Sequence, residues 1–289
     1  MKLKQAAQMH TGQDGAFFGD FMFRFDTKGN AIVYDAKVLD TAGESIVQLP
    51  EIARFSMNAG DALLPHSNAV VFGCGRFMPG DEFPPLYANI YNNYAKAENR
   101  WEGTCCVYRL ARTGTEFSLS MEQIIRIGFT DTVLWKSAGD VADVRPYGNF
   151  VIDRDKQLLH VFTMRDAERT TRYFTFALPS LTAGDICPET GIRTVTLTEK
   201  DILSYFDTEY HLYIQGACCE NGLIYSSEGF NEKIHPSLRV VDPAAKKQLL
   251  HVDLTTLGEC GEAEWIDFRD GRCYYSDGHG KVFLVDFEL

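Results

Sequence analysis

Short apolar runs rich in aromatic residues, separated by polar turn residues, follow one another along almost the whole chain. FMFRF at 21–25, YFTF at 173–176 and CYYS at 273–276 are typical of them. Phe and Tyr favour pleated, half-buried surfaces, so these runs predict β-strands. Asn221-Gly222 is a hairpin signal between two such runs. The pattern predicts an all-β chain in which helix is scarce.

One sequence motif in this pattern recurs five times. A polar opening and small residues lead into an apolar stretch, then through a short turn into an aromatic-rich strand. Recurrence of this kind is the signature of a repeat architecture. Each copy can be divided into four short strands, which predicts a five-bladed β-propeller around a central channel. The fourth strand is expected at 45–49 (SIVQL) in the first copy and at 193–197 (RTVTL) in the third. The copies begin at Gln13, His66, Arg145, Gln215 and Glu262.

The repeat predicts a single domain over residues 1–289, and its last unit stops after only three strands. An incomplete sheet would expose an unpaired edge. We therefore expect residues 2–9 to supply a fourth strand and close the ring. A ring of six blades is the alternative, with a degenerate unit in 129–143. The five blades are expected at about 13–52, 66–128, 144–200, 213–256 and 262–289.

Charge and hydropathy limit the classes of partner. The net charge is −12 and no cluster of Lys and Arg breaks it locally, so nucleic acid is not expected as a partner. The chain contains no stretch of about 20 apolar residues, so no membrane span is predicted. The N-terminus has no apolar signal core. We expect a soluble protein that is cytoplasmic, or exported with its signal absent from this sequence.

The eight cysteines contain no C-x-x-C pair, but Cys105-Cys106 and Cys218-Cys219 are adjacent. Adjacent residues of a strand point to opposite faces, so such a pair is a poor metal clamp. We expect small buried hydrophobes, no metal site and no cofactor. His160 and His251, each next to a leucine pair, are expected to be packing residues.

The polar openings of the five units predict where a ligand would bind. The first strand of each propeller blade lines the channel, so these residues converge at one mouth, a setting typical of ligand sites. Polar residues that line a channel can instead bind only ordered water and pair with one another. This purely structural role stays open as the alternative. The expected ligand-binding residues are Gln13, His66, Asn68, Arg145, Tyr147, Gln215 and Glu264, and the candidate catalytic residues are His66, Glu262 and Glu264.

Two segments resemble known propellers. QGA at 215–217, with NGLIY at 221–225 and EG at 228–229, is similar to the blades of NHL-, TolB- and glutaminyl-cyclase-like propellers. HSNAVVF at 66–72, with DEFP at 81–84 and LY at 86–87, is similar to propellers of gut bacteria, which implies a bacterial source.

The blade count also resembles glycan-cleaving five-bladed propellers, which place three acids on successive first strands. This chain departs from that pattern, because Asp20 and Asp153 lie at the far ends of their strands and unit two opens with His66.

Three functions stay open at this point. The first is a propeller that binds a glycan or another small polar molecule at the channel mouth. The second is a carbohydrate-active hydrolase or lyase, with Glu262 or Glu264 as acid/base, His66 as an alternative base and Arg145 holding a carboxylate or hydroxyl. The third is a scaffold for a protein partner.

Overall fold

The computed structural model describes residues 1–41, 45–57, 69–89, 103–138, 149–211, 213–230 and 234–287. These residues are nearly all β, with one helical turn (Val38–Thr41) and two 3₁₀ turns (Glu199–Asp201 and Leu254–Leu257). In chain order the strands are β1 (Lys2–Gln8), β2 (Gly15–Phe18), β3 (Phe21–Phe25), β4 (Asn30–Asp35), β5 (Val47–Gln48), β6 (Glu51–Ser56), β7 (Val70–Phe72), β8 (Leu86–Asn89), β9 (Thr104–Thr113), β10 (Glu116–Ile127), β11 (Asn149–Asp153), β12 (Leu158–Arg165), β13 (Thr170–Ala177), β14 (Asp185–Ile186), β15 (Arg193–Leu197), β16 (Ile202–Glu209), β17 (Ile214–Glu220), β18 (Leu223–Phe230), β19 (Ile234–Asp242), β20 (Lys247–Asp253), β21 (Ala263–Arg269), β22 (Arg272–Asp277) and β23 (Lys281–Asp286).

The strands form five sheets, and the fold is a five-bladed β-propeller as predicted. From the inside outward, blade 1 is β2-β3-β4-β6 and blade 2 is β7-β8-β9-β10-β15-β14. Blade 3 is β11-β12-β13-β16, blade 4 is β17-β18-β19-β20, and blade 5 is β21-β22-β23-β1-β5. The innermost strands β2, β7, β11, β17 and β21 contact one another around the central channel.

The N-terminal strand closes the ring, which confirms that prediction. β1 pairs antiparallel with β23, so that Lys2 lies opposite Asp286 and Gln8 opposite Lys281. Ala7 in this strand is fully buried. The edge of β23 is thereby paired, which removes the exposed edge that three strands alone would leave.

The outer strands of blades 2 and 3 differ from the sequence analysis. Arg193–Leu197 was expected to be the fourth strand of the third unit, but it pairs parallel with β10 in blade 2. The fourth strand of blade 3 is β16, which pairs with β13. Its residues alternate between partly buried and exposed, as a strand requires.

Blade 1 shows a similar shift. The run Ser45–Leu49 was expected as its outer strand, but Val47–Gln48 pairs instead with β1 in blade 5. The strand Glu51–Ser56 follows directly and pairs with β4. An outer strand contributes little to the core, so its apolar pattern does not identify the sheet it joins.

Aromatic side chains explain why no sixth sheet forms in the described part of 129–143. Trp135 is fully buried and stacks on Phe174 of blade 3, with ring centroids 5.9 Å apart. Phe129 contacts the same two rings. This segment therefore packs as a turn over the hydrophobic core between blades 2 and 3.

None of the helical segments in the described ranges has the length and apolar character needed to cross a membrane.

Candidate functional site

Two β-bulges mark the start of the innermost strands of blades 4 and 5. In blade 4 the register skips Gln215, because Ile214 pairs with Glu228 and Gly216 already pairs with Ser227. In blade 5 it skips Glu264 between Ala263 and Trp265 in the same way. A bulge re-aims the side chain of the extra residue. The two expected site residues thus leave the simple alternation of their strands at the channel mouth.

A hydrogen bond between side chains links these two blades. Gln215 Nε2 donates to Glu262 Oε1 at 2.6 Å and to the carbonyl of Gly229 at 3.0 Å. Glu262 lies just before β21, and its own carbonyl accepts from the backbone of Gly278 at 2.7 Å. Two of the expected site residues are therefore in direct contact, and Glu264 lies two residues further along.

Asp14, just before β2 of blade 1, lies next to residues of blades 2 and 4 at the channel mouth. It is fully buried, and its Oδ2 accepts from the backbone nitrogen of Val70 in blade 2 at 2.7 Å. Its Oδ1 lies 2.8 Å from where a Cβ on Gly216 would stand. The carbonyl of Glu264 is 2.9 Å from the same point. The channel is so narrow here that residue 216 has to be glycine.

Two charged residues that the sequence pattern did not assign to the channel mouth lie directly behind it. Arg24 pairs with Gly15, and Asp277 pairs with Ala263, so each lies opposite the first residue of an innermost strand. Both side chains are buried. Arg24 is the only charged residue in the run FMFRF, and that break in an apolar strand was the available signal.

Burial controls the protonation of these groups. Burial, with a smaller contribution from the nearby Glu262 carboxylate, raises the pKa of Glu264 to about 8 against the opposite effects of Arg24 and Gln13. Burial also raises the pKa of Asp14 well above its ordinary value. At neutral pH the Glu264 carboxyl therefore holds its proton and can donate a hydrogen bond or a proton.

The group formed by Gln13, Asp14, Arg24, Gln215, Glu262, Glu264 and Asp277 is called the channel-mouth cluster below. It holds six of the seventeen buried side-chain atoms that have no hydrogen-bond partner within the described protein. Buried polar atoms in folded proteins are nearly always paired, so their concentration here needs an explanation. The six atoms are Gln13 Oε1, Asp14 Oδ1, Arg24 Nε and Nη1, Glu264 Oε2 and Asp277 Oδ2.

A cavity of about 720 Å³ adjoins the cluster on the side of blade 1. Arg24 contributes to its wall together with His10, Asn30, Arg54 and Ser56. This volume is within the range of about 300–1,000 Å³ that is usual for small-molecule sites. The wall also includes the carboxylate of Asp26, so it offers both hydrogen-bond donors and acceptors to a polar ligand.

The polar network between blades 3 and 4 contrasts with this cluster because its partners are satisfied. Arg239 donates to both oxygens of Glu228, at 2.7 and 3.0 Å. His211 Nδ1 lies 3.1 Å from the hydroxyl of Tyr173, and its backbone nitrogen donates to Thr171 Oγ1 at 2.8 Å. Burial lowers the pKa of His211 to about 3, so it is neutral. This network fastens two blades together.

Four expected ligand-binding residues, His66, Asn68, Arg145 and Tyr147, lie outside the described residues, and their role stays a prediction. Gln13, Gln215, Glu262 and Glu264 are described and lie together.

Comparisons with known proteins agree with the fold. No family model and no curated protein sequence matches the chain. Among solved structures it is similar to the glutaminyl cyclase of Myxococcus xanthus, with a TM-score of 0.49, 11% identity, and coverage of 99% of this chain and 96% of that chain. It is also similar to a Thermus thermophilus protein assigned as a glucose dehydrogenase (TM-score 0.46, 10% identity, 98% of each chain). BamB from Moraxella catarrhalis is a third (TM-score 0.35, 8% identity, 95% of this chain and 69% of that chain). These are β-propeller-type proteins, as the expected resemblance required.

Proposed function

We propose that this propeller binds a small polar ligand at the channel mouth, through the channel-mouth cluster and the cavity beside it. The observation that carries the proposal is the concentration of buried, unpaired polar atoms in that cluster. A buried polar atom without a partner costs on the order of 1–3 kcal/mol. A ligand that supplies the missing partners would recover this cost on binding.

The chemistry of the cluster supports a sugar or a sugar acid as the ligand class. Arg24 has two unpaired donor nitrogens, and a protonated Glu264 adds a hydroxyl donor. Hydroxyl and carboxylate oxygens are the matching acceptors. The unpaired oxygens of Gln13 and Asp277 suit the hydroxyl hydrogens of the same molecule.

A second candidate function rests on one further observation. Glu264 is a protonated carboxyl beside a second carboxylate, Glu262, and this combination is typical of general acid catalysis at a glycosidic bond. In a hydrolase or lyase, Glu264 would donate a proton to the leaving oxygen. Gln215 would orient Glu262 through the hydrogen bond of 2.6 Å.

Binding is tested by a thermal-shift screen against neutral sugars, uronic acids and small peptides, followed by calorimetry on the hits. We expect a sugar or uronic acid to raise the melting temperature, since a ligand of the native state stabilises it by mass action. The variant Glu264→Leu should lose the hit. Glu220→Leu, at the opposite end of the channel, is the matched control and should keep it. A hit that survives Glu264→Leu, or a screen without hits, would refute the proposal and favour the scaffold hypothesis.

Glu264→Gln separates the two candidate functions. The amide keeps a hydrogen-bond donor but has no proton to transfer. A binding protein should keep most of its affinity in this variant. If the wild type also converts the ligand, the variant should bind it and lose turnover.

A further inference from the structure

Three potential metal ligands meet between blades 3 and 4, at the face opposite the channel mouth. Asp153 ends β11, His160 lies on β12, and Cys219 lies on β17. One ligand atom of each lies within 4.8 Å of the other two. The exposed fractions of the three residues are 3%, 2% and 8%, so the group is buried as a unit.

His160 is oriented as a metal-binding histidine is. Its Nδ1 lies 3.1 Å from Thr175 Oγ1, while its Nε2 is buried and has no hydrogen-bond partner within the described protein. When Nδ1–H donates to the threonine, the lone pair of Nε2 is left for a cation. A hydrogen bond donated by the ring nitrogen that does not bind the metal is the usual support of a ligating histidine.

Asp153 likewise has one side-chain oxygen in a hydrogen bond and the other left for a cation. Its Oδ1 accepts from the backbone nitrogen of Lys156 at 3.0 Å, and its Oδ2 is buried without a hydrogen-bond partner. The Lys156 ammonium lies 3.6 Å from Oδ2, on a side chain that is 55% exposed. The Lys156 ammonium can therefore leave Asp153 and turn towards solvent.

The two adjacent cysteines face different blades. The ionisable groups close enough to influence the Cys219 thiol electrostatically include Asp153 and Lys156 of blade 3. Those close to the Cys218 thiol include Asp267 and Cys273 of blade 5. Only Cys219 therefore belongs to this cluster. Its neighbour provides an internal control.

We propose that Asp153, His160 and Cys219 form a binding site for a zinc-class divalent cation that joins blades 3 and 4. One oxygen, one imidazole nitrogen and one sulfur match the ligands of Zn²⁺. With the usual zinc–ligand bond lengths, the ligand atoms of a tetrahedral site lie about 3.3–3.6 Å from one another. A small contraction of the cluster would bring its three ligand atoms to these distances. A cavity of about 140 Å³, lined by Asp153, Cys219 and Gly222, adjoins the site and gives a fourth ligand access.

Binding exchanges bonds in a balanced way. The S–H bond of Cys219 breaks as the metal–sulfur bond forms, and the proton leaves to solvent. Lys156 gives up its contact with Asp153, so the cation replaces an ammonium beside the carboxylate. Nothing is oxidised or reduced.

Titration of the full-length protein with Co²⁺ tests the site, because cobalt replaces zinc and reports its ligands by absorption. We expect one equivalent to produce a thiolate-to-cobalt charge-transfer band and the intense visible bands of tetrahedral cobalt. Zn²⁺ should displace the cobalt and raise the melting temperature as its concentration rises. A cobalt spectrum without the sulfur band would overturn the proposal, as would failure to bind.

Variants assign the ligands. Cys219→Ser and Asp153→Asn should abolish the tetrahedral spectrum, whereas the matched control Cys218→Ser should keep it. Thr175→Val should weaken cobalt binding by roughly 10–100-fold, the usual effect of losing the support of a ligating histidine. Lys156→Met should strengthen it. Circular dichroism checks that each variant is folded, and a sulfur band that persists in Cys219→Ser assigns the metal elsewhere.

Discussion

The protonated carboxyl of Glu264 makes the stability of the fold depend on pH in a way that one substitution removes. The pKa of a Glu side chain is ordinarily 4.5, and burial raises that of Glu264 to about 8. Between these values the native state holds a proton that the unfolded chain has lost. Stability is therefore highest below the lower value and falls as pH rises towards the upper one.

The size of this effect follows from the shift. One pKa unit corresponds to about 1.4 kcal/mol, so Glu264 should cost about 4 kcal/mol of stability between pH 5 and pH 8. Glu264→Gln is nearly isosteric and does not titrate. The free energy of unfolding of the wild type should consequently fall by about 1.4 kcal/mol per pH unit relative to the variant.

Urea unfolding of both proteins at unit steps from pH 5 to pH 8 measures this difference. Burial lowers the pKa of His160 to about 4 and of His211 to about 3, which makes stability rise with pH up to about 6.5. That opposite trend is common to both proteins and cancels in the comparison. Parallel curves for wild type and variant would refute a protonated Glu264 at neutral pH.

Three further perturbations test the packing of the ring. Gly216→Ala should destabilise the fold by about 1–3 kcal/mol in chemical denaturation, because its Cβ would stand 2.8 Å from Asp14 Oδ1; unchanged stability would mean that the channel is wider than described. Deleting residues 2–8 should unpair β23 and lower the melting temperature or cause aggregation, seen by calorimetry and gel filtration; a monomer of unchanged melting temperature would contradict ring closure by β1. Glu228→Gln should cost about 3–5 kcal/mol in urea unfolding, since Arg239 would keep a buried charge without its partner, whereas a loss below 1 kcal/mol would show that water reaches the pair.

The repeated motif was enough to predict the blades and the convergence of Gln13, Gln215, Glu262 and Glu264, because the first, fourth and fifth copies place their polar residues at the same end of an innermost strand. It was not enough for the outer strands. Arg193–Leu197 joined blade 2 rather than blade 3, since a half-exposed strand is assigned by the edge it can reach and not by its own pattern.

Two components of the candidate sites lay beyond any local pattern. The bulges at Gln215 and Glu264 arise from the pairing of two strands, and neither strand alone shows them. The raised pKa of Glu264 arises from the burial that ring closure imposes.

The sequence by itself determined the period of the repeat, the all-β architecture and the ends of the innermost strands. Strand alternation and turn chemistry act over a few residues and are therefore written in the local order of the chain. The tertiary structure alone decided which side chains face one another across blades. Asp153, His160 and Cys219 come from three strands and are up to 66 positions apart, and no spacing rule links them. Cys219 meets Asp153 and His160 only because blade 4 packs against blade 3, and no local pattern in the sequence shows how two blades pack.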